Sequence, residues 1–349
     1  MTQESATSKG VLRSLAKSVA LLLGVSSILS VHAQSYKPAC AQEASYTSID
    51  GSTMYVEGGV YADRALTNQA FTIDLSQSWG TRSPLYNQLA NGYHQNHAPG
   101  GVSSDRKWWT MIIGNLMSRY NVETNSWNEL ETLSMDKTFG LTGATDPATD
   151  IMYIPFGYAK DGKGIATMRV DLKTGEVQND KKSHSMTYKT FYAAAWNPLL
   201  KSAIYLSPSG VFEYTWKKHW KKFSSKGLGK IPLRGACLVS VNGGKKMVFF
   251  GGTPLDQKSV LGDIFILDVK TKVWTKGPSA PSGGARKAPA CAGSNGQIVI
   301  WGGTTANDSR LMECPAKEVL VFNVNTNKWT NRYVAPRQLF LDERALCTF

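Results

Sequence analysis

The chain has 349 residues, ten of them tryptophan, so it is long enough to bury a large core. Its 39 lysines and arginines outnumber its 26 aspartates and glutamates, which gives a formal net charge of +13 at pH 7. A positive field of this size favours anionic partners and does not specify a fold. After residue 33 no segment reaches the roughly 20 apolar residues of a membrane span, so none is expected in the mature chain.

The first 33 residues have the pattern of a secretory signal peptide. An uncharged run at 19–31 follows three basic residues and ends with small ones: Lys9, Arg13 and Lys17, then Val31 and Ala33. Basic, apolar and small-residue regions in this order direct secretion, and cleavage is expected after Ala33. An uncleaved signal anchor is the alternative, although the apolar run is shorter than a membrane span. We therefore expect a secreted protein, or a cell-surface one if a longer, membrane-anchored form exists.

Six segments of one pattern follow, at intervals of 43 to 55 residues. Each is an apolar run with a polar or tyrosine residue, followed by a bulky side chain: 71–74 with Trp79, Tyr120 with Trp127, 168–171 with Val177, 212–214 with Trp220, 265–268 with Trp274 and 321–323 with Trp329. A period near 50 is typical of propellers built from β-sheet blades. Residues 40–333 would then form one domain, and 334–349 an atypical, disordered tail.

The fifth repeat shows the predicted blade most clearly. Its apolar runs at 236–241, 247–250 and 263–269 predict three strands, and Val273 and Trp274 begin a fourth. Asn242 and Gly243 predict a two-residue type I′ turn between the first two strands, because both central positions of that turn need positive φ. The runs are continuous rather than alternating, as expected of strands covered on both faces.

A glycine doublet after the second strand, a Tyr or Asp in the third, and a Trp about six residues later resemble the kelch repeat. The doublets are Gly58-Gly59, Gly251-Gly252 and Gly302-Gly303. The resemblance covers about residues 42 to 333 and is strongest in repeats one, five and six. It implies an all-β, six-bladed kelch-type β-propeller with four antiparallel strands per blade, similar to secreted or cell-surface kelch proteins of fungi. The doublets would give backbone room and the tryptophans would pack between blades.

Secretion places the five cysteines in an oxidising compartment. Cys40 and Cys314 lie at opposite ends of the predicted ring, and we expect a disulfide bond between them. Cys237 and Cys291 occupy equivalent positions in successive repeats, and they are expected to be buried free thiols. Cys347 is left over in the tail. Asn307 begins an Asn-Asp-Ser glycosylation sequence in a predicted loop.

Two histidines, His94 and His97, could face one metal ion from a loop, but a lone His-x-x-His pattern is a weak signal. The pattern matters because galactose oxidase, a copper radical enzyme, has a kelch-like propeller. Its site needs two histidines, two tyrosines and a cysteine bonded to one tyrosine, and no local segment carries this set. Serine-hydrolase and zinc-protease motifs are also missing from the sequence. No cofactor or catalytic residue is therefore predicted, and a copper oxidase or a glycan-processing propeller is the alternative.

Basic residues provide two candidate binding surfaces. The fourth repeat carries Lys217, Lys218, His219, Lys221 and Lys222, which could hold a polyanion, although lysines also protect edge strands from association. A second set would meet at the channel mouth, on the rim where the longer loops emerge: Lys189, Arg234, Arg286 and Lys287. A basic residue before the first strand is also a common structural feature of kelch repeats.

Together these patterns predict a non-catalytic, secreted, monomeric binding propeller. Its expected ligand is a protein or an anionic polysaccharide at a cell surface or wall. Nucleic acid is disfavoured as a partner because secretion separates the protein from it.

Overall fold

The chain divides into Met1–Lys37 and a compact unit, Pro38–Phe349. The structure, a computed structural model, describes these residues: 36–49, 51–61, 63–80, 84–133, 142–158, 165–180, 193–207, 210–229, 234–254, 256, 258–306, 313–315 and 318–336. Cys347, Asn307 and Lys189 lie outside them, as do the predicted signal peptide and residues 337–349. The described residues contain no helix long and apolar enough to cross a membrane.

The described strands form six antiparallel sheets of consecutive strands, which we number as blades 1 to 6. Blade 1 is β1–β4, blade 2 β5–β9 and blade 3 β10–β13: β1 (Ser45–Thr47), β2 (Thr53–Glu57), β3 (Ala70–Asp74), β4 (Tyr86–Gln88), β5 (Gly100–Val102), β6 (Trp108–Ile113), β7 (Leu116–Asn121), β8 (Ser126–Trp127), β9 (Glu131–Thr132), β10 (Ala144–Asp146), β11 (Ile151–Tyr158), β12 (Ile165–Asp171) and β13 (Val177–Asp180). Blade 4 is β14–β17, blade 5 β18–β21 and blade 6 β22–β25: β14 (Ala193–Asn197), β15 (Ser202–Ser207), β16 (Gly210–Thr215), β17 (His219–Lys222), β18 (Cys237–Val241), β19 (Lys246–Phe250), β20 (Ile264–Asp268), β21 (Val273–Lys276), β22 (Ala290–Ser294), β23 (Gln297–Trp301), β24 (Val319–Asn323) and β25 (Lys328–Thr330).

The first strands of neighbouring blades contact one another around a closed ring, in the order β1, β5, β10, β14, β18, β22 and back to β1. The first strands therefore line a central channel, and later strands lie progressively outward. This is a six-bladed β-propeller, as the repeat predicts. Strands such as β23 are buried along their whole length because a neighbouring blade covers each face.

Alternating strand direction gives the ring two rims. The turns between first and second strands and between third and fourth strands emerge on one side, here called the turn rim. The other connections emerge on the opposite side, the loop rim. At the loop rim Gly251 and Gly252 have φ of 72° and 88°, and a Cβ on Gly251 would lie 2.5 Å from the Arg286 carbonyl oxygen. The doublet is therefore required by close approach of the next blade.

The turn predicted at Asn242-Gly243 differs from the observed one. Val241 pairs with Lys246, so four residues connect the strands, and Asn242–Gly244 form a short 3₁₀ helix. Asn197 of blade 4 donates a hydrogen bond to the Gly244 carbonyl at 2.9 Å, and Asn242 donates one to Asn325 of blade 6 at 2.9 Å. These contacts with both neighbouring blades favour the wider turn over type I′.

The bulky residue assigned to the first repeat, Trp79, is not the blade-packing residue. In the fourth strand of blade 1 Tyr86 pairs with Ile73, as Trp274 pairs with Leu267 in blade 5. Trp79 instead forms an antiparallel bridge with Tyr333, after the last strand, and the two rings stack with centroids 5.0 Å apart. Trp79 thus helps to close the ring.

Two disulfide bonds connect distant segments. Cys40 is bonded to Cys314, as predicted, with their Cα atoms 6.0 Å apart. The expectation of free thiols at Cys237 and Cys291 is wrong, because these residues are bonded to each other with Cα atoms 6.3 Å apart. They lie on β18 and β22, and neighbouring first strands converge at the channel, so equivalent positions come within bonding reach.

Candidate functional site

At the loop rim Arg286 has a structural role. Its side chain is buried, and its guanidinium donates hydrogen bonds to the carbonyls of Gly284, Gly302 and Glu318 at 3.4, 3.0 and 3.3 Å. Burial lowers the pKa of this guanidinium to about 10. A guanidinium held in this way connects segments of blade 6 and does not face a ligand.

Lys287 is also buried, beside Glu43 at the start of blade 1. Burial alone would raise the pKa of the Glu43 carboxyl, but the hydrogen bond from His97 and the charge of Lys287 hold it below its ordinary value. Arg234 is half-buried, and its backbone pairs with Thr253. The predicted basic ring therefore does not form from Arg286 and Lys287, whose side chains serve packing between blades.

The two histidines considered as metal ligands have separate partners. His94 Nδ1 lies 2.8 Å from the Leu66 carbonyl oxygen, whereas His97 Nε2 lies 2.9 Å from a Glu43 carboxylate oxygen. Among the described residues no group of three or more His, Cys, Asp or Glu side chains is arranged to hold a metal ion.

The lysines of the fourth repeat lie on the outer part of blade 4. Lys217 and Lys218 occupy the turn before β17, and Lys221 and Lys222 lie on it, all four exposed. The exposed Lys221 pairs through Nζ with Oε2 of the buried Glu213 at 3.0 Å. These four ammonium groups form a positive surface at the ring's edge.

His219, which the sequence groups with these lysines, is directed towards blade 3. Its Nδ1 contacts the carboxylate of Asp180, and the Tyr214 hydroxyl donates a hydrogen bond to the same carboxylate at 2.9 Å. The neighbouring indoles also have internal partners. Trp220 donates a hydrogen bond to Thr167 at 2.8 Å, and Trp216 lies under the Arg169 guanidinium. The sequence suggested that these rings could stack on a sugar. In the structure they pack instead against Thr167 and Arg169 of blade 3.

Blade 5 extends the positive surface in a way that sequence spacing does not reveal. Lys226 pairs with Val273 in a parallel bridge, its amide donating to the Lys272 carbonyl at 3.0 Å. Lys270 and Lys272 lie on the turn of blade 5 equivalent to the one that carries Lys217 in blade 4, and both are exposed. We call this combined surface the lysine face; its members are Lys217, Lys218, Lys221, Lys222, Lys226, Lys270 and Lys272.

The channel itself is a different environment. At the turn rim it opens into a cavity of about 290 Å³. Hydroxyls, amides and aromatic rings line it, including Tyr46, Thr145, Trp196, Ser240 and Asn242. No charged side chain of the described residues is among its lining groups. The described lining of the cavity is therefore uncharged, unlike the lysine face.

Comparisons with known proteins agree with this architecture. No family model matches the chain. A kelch repeat-containing protein of Arthroderma benhamiae is 22% identical over 389 aligned positions, covering 85% of this chain and 57% of the relative. The chain thus spans less than two thirds of that relative's length. The solved structure of YjhT is 15% identical, with a TM-score of 0.59, and covers 84% of this chain and 98% of its own. With the six blades, these likenesses confirm a kelch-type β-propeller.

Proposed function

We propose that this chain is a secreted, non-catalytic binding propeller whose ligand is an anionic polysaccharide held on the lysine face. The observation that carries the proposal is the convergence of lysines from blades 4 and 5 on one exposed surface. Clustered ammonium groups attract a polyanion and speed its association, and a chain of regularly spaced sulfates or carboxylates can bind several of them together. Disulfide bonds at Cys40–Cys314 and Cys237–Cys291 are consistent with an oxidising, extracellular location.

Salt elution from immobilised heparin, a sulfated polysaccharide, tests this proposal. We expect the quadruple variant K217A/K218A/K221A/K222A to elute at a clearly lower salt concentration than the parent protein. A matched variant, K107A/K201A/K258A/K328A, removes the same charge from exposed lysines outside the lysine face, one of them ion-paired as Lys221 is. Its elution is expected to change much less. Equal shifts for both variants would show that net charge alone causes retention, and no shift for the first would overturn the proposed site.

The alternative, a copper radical oxidase, is tested by metal analysis. That function would require His94 and His97 to share a metal ion, whereas they contact Leu66 and Glu43. We expect the purified protein, incubated with copper and then desalted, to retain less than stoichiometric copper. Stoichiometric copper that is lost in a His94→Ala/His97→Ala variant would overturn the non-catalytic proposal.

A further inference from the structure

Five of the six blade interfaces are closed by an aromatic side chain of the fourth strand. Each donates a hydrogen bond to the preceding blade or to the segment that leads from it. The pairs are Tyr86 with Glu318 (2.7 Å), Trp127 with Ala90 (2.8 Å), Trp220 with Thr167 (2.8 Å), Trp274 with Ser225 (3.1 Å) and Trp329 with Pro278 (2.8 Å). The outer strands of stacked blades diverge, and these rings fill the gap between them.

Blade 3 has a valine at this position. Val177 pairs with Val170 in the same register that pairs Trp274 with Leu267. A groove of about 400 Å³ lies beside Val177, between blades 2 and 3. Blade 2 contributes Glu131, Thr132 and Leu133 to its lining, and blade 3 contributes Glu176, Val177 and Asn179. The groove is therefore at the place where the other interfaces hold an aromatic ring.

A shared apolar core, which includes Met117 of blade 2 and Val170 of blade 3, and an arginine contact hold these two blades together. Arg119 of blade 2 reaches the turn of blade 3, where its guanidinium donates hydrogen bonds to the carbonyls of Leu172 at 2.9 Å and Lys173 at 2.6 Å. The same guanidinium lies 4.3 Å from the centroid of the Trp108 ring. The interface is thus secured at the turn rim, and none of the described residues that line the groove is aromatic.

We propose that this groove binds an aromatic side chain of a partner polypeptide, flanked in that partner by lysine or arginine. The five filled interfaces show the kind of group that fits between two outer strands of this ring. Val177 and the small exposed part of Leu133 provide apolar contact, and the exposed carboxylates of Glu131 and Glu176 lie in the lining of the groove. These two carboxylates outnumber the one neighbouring guanidinium, that of Arg119. One Glu176 oxygen accepts a hydrogen bond from Gln178 at 2.7 Å, which positions that carboxylate. Opposite charge on the partner then selects its flanking residues.

The binding measurement uses two short peptides whose tryptophan carries fluorine, so that ¹⁹F NMR avoids the ten native tryptophans. These are acetyl-Lys-Trp-Lys-amide and acetyl-Glu-Trp-Glu-amide; unlabelled acetyl-Lys-Ala-Lys-amide serves as a competitor. We expect the first to bind with a Kd of about 1 mM, as suits one buried side chain. We expect the second to bind at least about tenfold more weakly because of charge repulsion. The alanine peptide should not displace the first. Absence of binding at about 5 mM of the first peptide would overturn the proposal.

Variants of the protein locate the peptide. Val177→Trp places an indole in the groove and should weaken binding at least about tenfold while raising the melting temperature. Val273→Trp, on the exposed outer strand of blade 5, is the matched control and should change neither. If Val177→Trp does not fold, the double variant Glu131→Gln/Glu176→Gln tests the site instead. It keeps the packing of the groove and should lower the affinity for acetyl-Lys-Trp-Lys-amide several-fold. Unchanged peptide affinity in the folded variants would contradict the site. Val177→Trp should elute from heparin at the same salt concentration as the parent protein. The peptide-binding proposal and the heparin-binding proposal can therefore fail independently of each other.

Discussion

Tyr333 and Leu75 lie 258 residues apart in the chain, and the Tyr333 hydroxyl donates a hydrogen bond of 2.6 Å to the Leu75 carbonyl. Tyr333 is fully buried, and burial raises the pKa of its hydroxyl to about 12. Its backbone also pairs with Trp79. Each described blade consists of consecutive strands, so such contacts between the segment after β25 and blade 1 help to close the ring.

The Tyr333 hydroxyl should therefore contribute to stability. We expect Tyr333→Phe to lower the free energy of unfolding by about 1–2 kcal/mol, because the buried Leu75 carbonyl loses its donor. Tyr93→Phe is the matched control, since the Tyr93 hydroxyl bonds the Asn128 carbonyl in an exposed position. Denaturant unfolding measures both variants. Equal losses would contradict a special role for the ring-closing tyrosine.

Thiol titration checks the two disulfide bonds. Of five cysteines, four are bonded in pairs, so the denatured, unreduced protein should show one titratable thiol per molecule. Cys347→Ser should show none. By the loop-closure estimate, the Cys237–Cys291 bond contributes about 4 kcal/mol and the Cys40–Cys314 bond roughly 5 kcal/mol. Three titratable thiols would restore the free-thiol expectation for Cys237 and Cys291.

Buried Glu57 should make stability depend on pH. Burial raises the pKa of this carboxyl from 4.5 to about 8, although Gln95 and the Tyr93 amide donate hydrogen bonds to it. Between these pH values the folded chain keeps a proton that the unfolded chain releases, so stability falls as the pH rises from about 5 to about 8.

Glu57→Gln removes this ionisation. We expect it to match the parent near pH 5 and to exceed its stability by about 1–3 kcal/mol at pH 8. Glu123→Gln, at an exposed carboxylate paired with Lys107, should give a constant difference across this range. Parallel stability curves for the parent and Glu57→Gln, followed by chemical unfolding, would show that Glu57 is ionised in the folded protein.

Arg286 should prove structural rather than ligand-binding. We expect Arg286→Lys to destabilise the protein by about 2 kcal/mol, because an ammonium group cannot reproduce the planar set of donors to three carbonyls. Arg332→Lys, at an exposed position, should have little effect. Heparin elution should be unchanged in both. A stable Arg286→Lys protein with weakened heparin binding would return Arg286 to the candidate ligand site.

Prediction from the sequence was most successful where structure is local. In blades 5 and 6 the doublets, apolar runs and tryptophans matched the observed strands, because only two to four residues join the first strand to the second and the third strand to the fourth. The prediction was wrong in blade 1, where Trp79 lies at about the expected distance in sequence after the third strand. The residue that occupies the fourth strand is Tyr86, which follows a longer connection. The lysine face was predicted in part, since Lys217 to Lys222 and Lys226 lie within ten residues of one another in the sequence, whereas Lys270 and Lys272 join them only when blades 4 and 5 pack together.

The amino-acid sequence by itself determined the six-bladed ring, because each blade is a contiguous, self-pairing segment whose apolar runs must be covered on both faces. Only the tertiary structure decided what happens between blades. The Cys237–Cys291 bond, the Tyr333–Leu75 closure and the groove beside Val177 all depend on side chains that are brought together when the blades stack around one axis. Those distances follow from closure of the whole ring, which no single repeat encodes.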